Sequence, residues 1–329
     1  MCFVLRTIVL ISVIALVANA DPFGEYKVTR VVDGDTIRVD GLDNSLRLLG
    51  IDTEETFKHN AERDAYAAGW SSYITNARGS SPHPVKFATP LGEDAKVFAE
   101  HWFAGVDVVR LERDDPQEIR DRYHRYLAYV VAKKNGAWLC YNVEAVRAGM
   151  SPYFPKYGRS RRYHADFVAA EAEAKAAHRG IWAANAQAYP DYPEREAWWA
   201  ARGDFVEQFR AKAQADASYI DVTHADAMAR LEALVGKPVV VLGTVDKVHV
   251  DKVSRVMLGE LPLVFFHRDV LDGSQLAAWQ GEFVTASGTP QLYKGHVELV
   301  IDRVSQIIRS QVPGITGETK NAAGDHDTR

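Results

Sequence analysis

The stretch Val31–Thr56, VVDGDTIRVDGLDNSLRLLGIDTEET, decides the fold. Ile37 and Val39, then Leu46 and Leu48, alternate with polar residues, which is the period-two pattern of half-buried strands. VVDGDTIRV reads as strand, tight Asp-Gly turn and strand. Gly41 and Asp43-Asn44-Ser45 supply the next turn, and LRLLGID returns as a third strand. A meander of this kind brings Asp35 and Asp52 to one end of a sheet. Carboxylates held together repel unless a cation neutralises them. Oxygen-only ligands suit a hard ion such as Ca²⁺.

A second block lies downstream, DRYHRYLAY over Asp121–Tyr129. With these two blocks in this order, residues 21–182 resemble the staphylococcal nuclease (thermonuclease) family. The resemblance implies a calcium-dependent endonuclease that hydrolyses DNA, with RNA left open; single strands are taken as the preferred form as a guess, since strand preference depends on groove shape. Carried onto matching positions, it makes Asp35, Asp52 and the backbone carbonyl of Thr53 the metal ligands, with Asp33 nearby but not coordinating. Glu55 becomes the candidate general base, and Arg47 and Arg125 the cations that clamp the phosphoryl group, each offering a fork of N–H donors. Tyr123 falls near the nucleotide's phosphate. This chain departs from the family pattern at Glu54, where proline is common, and at His124, where glycine often precedes the arginine. An acid beside Glu55 is expected to raise its pKa, and His124 to crowd its loop.

The expected fold is mixed α+β, mainly β. Five strands with a helix inserted before the fourth match an OB-type five-stranded barrel with packed helices. The helix, GEDAKVFAEHWFAG, puts Ala95, Phe98, Ala99 and Trp102 on one face and ends at Gly105. Ala137 to Ala148 and Ala165 to His178 read as further helices, with Gly180 closing the second and Ile181-Trp182 packing back on the barrel. Residues 57–88 exceed an ordinary connection by roughly 25 residues and read as an insertion, with one short helix over Ala61–Ala77 broken by Gly79-Ser80-Ser81-Pro82. Its His59 and His83 lack metal-ligand spacing and read as loop residues. Between the later helices, MSPYFPKYGRSRRYH offers Tyr153, Lys156 and Tyr157 as substrate contacts, beside Arg159, Arg161 and Arg162. Aromatic and basic side chains so mixed suit stacking on bases and holding phosphates; an ordinary solvated loop with packing tyrosines fits equally.

The N-terminus reads as a signal peptide over residues 1–20. Arg6 precedes the apolar run TIVLISVIALVA, which ends at Ala18-Asn19-Ala20. The run is short for a membrane span. The expected destination is therefore secreted or periplasmic. The formal net charge is −5, and loss of Arg6 with the leader makes the chain one unit more acidic. That disfavours tight, nonspecific duplex binding but not local basic patches. Cys140 remains alone without Cys2 and reads as a buried small hydrophobe.

Residues 183–218 read as a helical connector, with Pro193 at the start of a helix through Trp198, Trp199, Phe205 and Phe209. Residues 219–310 read as a helix over His224–Val235 and five short β-rich runs, resembling a second OB-like barrel. It carries no second acidic pair and no dense basic face, so a structural or protein-binding role fits it as well as a nucleic-acid role. The tail, 311–329, is polar and expected to be disordered. The rival readings are a noncatalytic nucleic-acid or protein-binding module that kept the fold, and a calcium-binding structural protein. Neither requires Asp35, Asp52, Glu55, Arg47 and Arg125 together. No hydroxyl or thiol with a base beside it suggests covalent catalysis.

Overall fold

A computed structural model of the chain describes residues 23–81 and 83–312, so the leader and most of the tail lie outside the described residues. The first unit contains strands β1 (Gly24–Tyr26), β2 (Val28–Asp33), β3 (Thr36–Val39) and β4 (Leu46–Leu48). Helices α1 (Asn60–Ala67), α2 (Trp70–Arg78) and α3 (Pro90–Phe103) follow. Then come β5 (Val109–Glu112), β6 (Tyr126–Lys134), β7 (Ala137–Cys140), α4 (Tyr141–Arg147) and α5 (His164–Ala176). The strands pair in the order β1-β5-β6-β4-β3-β2, with β7 on β6. Only Lys27 separates β1 from β2, so one run of chain lies first against β5 and then along β3. Strands β2–β6 make the expected OB-like set of five, in which β2-β3-β4 is a meander and β4 joins β6 in parallel, and β1 and β7 extend the sheet.

Alternation sets the core. Ile37, Leu46, Leu48, Val109, Leu111, Ala128 and Val130 point inward and are fully buried, with Tyr141 and Phe167 closing over them. Burying side chains of this size contributes roughly 1.5–3 kcal/mol each. Helix α3 starts with Pro90 after the N-cap Thr89, whose Oγ accepts from Gly92 N at 3.2 Å, and buries Ala95, Ala99, Trp102 and Phe103.

Three local expectations are corrected. The run 137–148 is not one helix: Asn135 and Gly136, with φ of 52° and 86°, form a hairpin turn, so 137–140 pairs with β6 as β7 and the helix begins at Tyr141. The helix expected over 61–77 is two, because Gly69 at φ 147° breaks it. Ile181 packs not on the barrel but with Phe154, Ala188, Tyr189, Tyr192 and Trp199.

Helix α6 (Tyr192–Ala215) is the connector, with Pro193 in its first turn. The second unit contains β8 (Tyr219–Asp221), α7 (Ala227–Ala233), β9 (Val239–His249), β10 (Ser254–Leu258), β11 (Leu261–Phe265) and α8 (Arg268–Ser274). It continues with β12 (Phe283–Gly288), β13 (Pro290–Tyr293), β14 (His296–Val300) and β15 (Ile307–Arg309). Its sheet runs β13-β14-β11-β10-β9-β12-β15 with β8 on β9, eight described strands where five runs were expected. β8 was not anticipated, β15 is a separate strand, and the run GEFVTASGTPQLY folds as two strands, β12 and β13.

The units are joined through polar burial. Arg202 of α6 is 0% exposed and pairs with Glu282, which also accepts from Trp198 Nε1 at 3.3 Å. Further along, Glu118 meets Arg210, and His224 Nε2 lies 3.6 Å from Glu118 and 3.8 Å from Asp221. Burial works against the imidazolium, but Glu118 and Asp221 outweigh it and hold the pKa of His224 above its ordinary value.

Two outcomes are expected. Arg202→Met leaves the Glu282 carboxylate buried without its cation and costs about 3–5 kcal/mol in a denaturant melt, while adding Glu282→Leu recovers most of that loss. His224→Gln lowers the melting temperature more at about pH 6 than at about pH 9. A raised folded pKa contributes stability that is complete below the unfolded value and lost as pH rises through the folded one.

Candidate active site

Asp35 follows the turn between β2 and β3. Tyr141 OH donates to the Gly34 carbonyl at 2.8 Å, and a Cβ at Gly34 would stand 2.7 Å from both Ala95 Cβ and Thr53 Cγ2. The bare turn thus presses Asp35 towards the end of β4. Asp35 accepts from Thr36 Oγ1 at 2.9 Å and from the backbone N of Thr53 at 3.2 Å. Asp52 is placed by its own N–H, which donates to Ser151 Oγ at 2.8 Å. Both carboxylates are buried.

Arg47 pairs in register with Thr36 on β3 and Leu127 on β6, which turns it to the opposite face from Leu46 and Leu48. Its guanidinium lies between Asp35 and Asp52 and forms an ion pair with each. Burial opposes that charge, but the two carboxylates more than offset it and hold Arg47 firmly protonated. Burial also acts on Asp52, where Lys86 first and Arg47 next overcome it and keep the carboxyl below its usual range. Asp33 differs: burial, then the Asp35 charge, pushes it up to about 7.

Glu55 completes this group. Its carbonyl accepts from Thr89 N at 3.0 Å. Its side chain is bracketed by Lys58 Nζ, 2.9 Å from Oε2, and Lys86 Nζ, 3.7 Å from Oε1. Lys86 Nζ also lies 2.7 Å from Asp52 Oδ1. Neither lysine stood out in the sequence.

Glu54 is engaged on the other side of the chain from Glu55. It is 1% exposed and faces away, accepting from Thr89 Oγ1, from Tyr189 N at 2.6 Å and from Tyr192 OH at 2.8 Å. Burial raises its pKa despite these donors. Glu54 thus ties the segment after β4 to the N-cap of α3 and to the connector.

Arg125 ends the turn before β6 rather than opening the strand. Asp121 builds that turn, accepting from Tyr123 N (2.9 Å), Arg125 N (3.0 Å) and Arg125 Nε (2.8 Å). His124 is in the left-handed region at φ 61°, where glycine is favoured, so its departure from the family pattern strains this loop. Leu127 is the register partner of Arg47, and Arg125 precedes it by two residues in the chain. Arg125 makes its ion pair with Asp121, apart from the Asp35–Asp52 cluster. Tyr123 is 60% exposed beside it.

The loop before α5 divides. Tyr153 is corrected from a substrate contact to a core residue: it is 7% exposed, stacks on Phe167 at 4.7 Å and 5°, and its OH accepts from Ser160 N at 3.0 Å. Tyr157 is half exposed, edge-on to Phe154 and to Phe283 of the second unit. Lys156 Nζ lies 5.5–5.9 Å from the rings of Phe154, Tyr157 and Trp198. Burial, then the Arg202 charge, pushes it well below the ordinary lysine range. Arg161 and Arg162 are engaged by Asp115 and Glu112 at 3.2 and 2.9 Å. Burial pushes the Cys140 thiol up to about 12, which makes it inert.

Comparison with known proteins agrees with this geometry. The family model "Staphylococcal nuclease homologue" matches residues 45–184. The thermonuclease of Staphylococcus hyicus is 32% identical over 162 residues, covering 48% of this chain and 75% of that one. The thermonuclease of Staphylococcus intermedius is 32% identical over 173 residues, covering 50% and 80%. An uncharacterised protein of Methanocaldococcus jannaschii is 32% identical over 158 residues, covering 47% and 70%. The chain belongs to the staphylococcal nuclease family. The similarity spans about half of it.

Asp35, Asp52 and the Thr53 carbonyl offer oxygen donors alone, with both carboxylates buried, and this set fits a hard divalent cation. Asp115, Glu118 and His224 also converge within 4.8 Å of one another, where Arg161 and Arg210 pair with the two acids.

Gly92 tests how Glu55 is held. A Cβ there would run into the Glu55 carbonyl and stand 2.9 Å from that of Glu54. Alanine ordinarily stabilises a helix relative to glycine, by about 1 kcal/mol. Gly92→Ala is expected to do the reverse, lowering stability by about 1–3 kcal/mol in a thermal melt.

Proposed function

We propose that this protein is an exported, calcium-dependent endonuclease that hydrolyses the phosphodiester bonds of DNA, with single strands preferred and RNA open to the same chemistry. The observation that carries the reading is Arg47 set between Asp35 and Asp52, with Glu55 beside them. A calcium-binding structural protein needs the acids but not a guanidinium aimed among them. Membership of a nuclease family and the thermonuclease names of two relatives support the same reading. Export rests on the sequence of the first twenty residues alone.

In this mechanism Asp35, Asp52 and the Thr53 carbonyl hold the ion, which supplies Lewis-acid stabilisation of the phosphoryl oxygens. Glu55 orients water for in-line attack and takes its proton. Arg47 donates to the nonbridging oxygens, where negative charge builds. Arg125, fixed by Asp121, offers a second fork towards the leaving side. Tyr123, Lys156 and Tyr157 border the strand that carries the scissile bond.

Cleavage of single-stranded DNA by the protein is expected to require Ca²⁺ and to stop with chelator. Glu55→Gln should lower kcat by about 10²–10⁴-fold, the usual scale of a lost general base. Full activity in that variant would remove Glu55 from the role of base. No cleavage by a folded, calcium-loaded wild type would overturn the enzyme reading.

A further inference from the structure

Lys86 belongs to no sequence motif, yet its surroundings are built. It lies at the end of the insertion, 2.7 Å from Asp52 and 3.7 Å from Glu55. The backbone on both sides is pinned. Arg195, itself 2% exposed, donates to the Val85 carbonyl. Tyr189 OH accepts from Phe87 N at 3.2 Å and donates to Phe87 O at 2.8 Å. Tyr73 OH donates to Ala88 O at 2.8 Å. Phe57, Tyr66, Trp70, Tyr73 and Phe87 form the aromatic cluster behind this strap. A lysine in a casual surface ion pair requires no such frame.

We infer that Lys86 is an exchangeable cation of the active site: it neutralises Asp52 at rest, cedes that carboxylate to the divalent ion, and then holds a nonbridging oxygen of the scissile phosphodiester. This rests on the nuclease reading above and gives the insertion its function. The side chain is 44% exposed, so its ammonium has a solvent path from Asp52 to a bound strand. The attacked phosphodiester gains negative charge beside Glu55, where a mobile point charge stabilises it. Both roles follow from one charge, but they move different measurements in opposite directions.

The test uses the full chain and compares Lys86→Met and Lys86→Arg with wild type. Calcium binding is titrated by calorimetry without nucleic acid, and kcat and KM for single-stranded DNA are measured at saturating Ca²⁺. Lys86→Met is expected to bind Ca²⁺ several-fold more tightly, because a competing cation is gone, yet to lose about 10–100-fold in kcat, somewhat less than a fixed oxyanion donor is worth. Lys86→Arg keeps the charge and is expected to stay near wild type in calcium affinity while recovering part of kcat. Unchanged calcium affinity in Lys86→Met overturns the proposal whether or not the wild type cleaves DNA. Tighter calcium binding with unchanged kcat overturns the phosphate-holding role. Tighter calcium binding in a protein whose wild type cuts nothing overturns instead the nuclease reading, and the phosphate-holding role with it.

Discussion

Two buried carboxylates on one guanidinium are the constraint around which the first unit is arranged. Asp35 and Asp52 are 17 positions apart in sequence and would repel if brought together unaided. Arg47 meets both because β3 and β4 pair with Thr36 opposite Arg47, which puts the arginine within reach of the turn before β3 and of the chain leaving β4. A one-residue slip would send Arg47 into the core and Leu46 or Leu48 into the site. The apolar alternation that makes the core therefore also fixes the charge cluster, and neither can be changed without the other.

Around this cluster the chain adds the insertion and the connector. Glu54 is the hinge of that addition. In a turn shaped by proline it would have no partner, but here it gathers Thr89 from the N-cap of α3 with Tyr189 and Tyr192 from the start of the connector. Tyr189 in turn holds Phe87, next to Lys86. A continuous path of hydrogen bonds thus runs from the segment after β4 to the connector and back to the insertion. The connector then carries Arg202 to Glu282, where the second unit begins to pack. A buried ion pair of this kind is weak as a source of net stability, since desolvation offsets its attraction, but it is demanding about geometry. It fixes where the second unit sits beside Lys156 and Tyr157.

The sequence disclosed what is local and periodic. The meander, the apolar face of α3, the position of Pro193 and the burial of Cys140 all follow from patterns within a few residues. The hairpin at Asn135-Gly136 was equally local, and the apolar run that follows it hid a signal that its dipeptide carries. Tyr153 was ambiguous for another reason: an aromatic side chain in a basic loop has the same composition whether it stacks on a base or on Phe167. Long-range partners were beyond reach. Glu54 read as a disturbance to Glu55 because its donors lie 35 to 138 positions away. Lys86 gave no signal at all, since a lone lysine before Phe-Ala-Thr has no spacing to interpret. Asp121 might have been found, because an aspartate opening a turn commonly accepts from the backbone two residues on.

The same reasoning separates the two arginines that the family pattern treats alike. Arg47 is confined by two buried acids and by strand pairing on both sides, so its position is set by the fold. Arg125 is confined by one carboxylate and by a turn whose preceding residue, His124, is in a left-handed conformation. A β-carbon there costs of order 1 kcal/mol relative to glycine, and hydrogen bonds to Asp121 hold the turn against it. The Arg125 guanidinium is held within its own turn, by the carboxylate that also accepts from the turn's backbone. The charge arrangement is thus asymmetric: two buried carboxylates from different parts of the chain fix Arg47, and one carboxylate four residues away fixes Arg125.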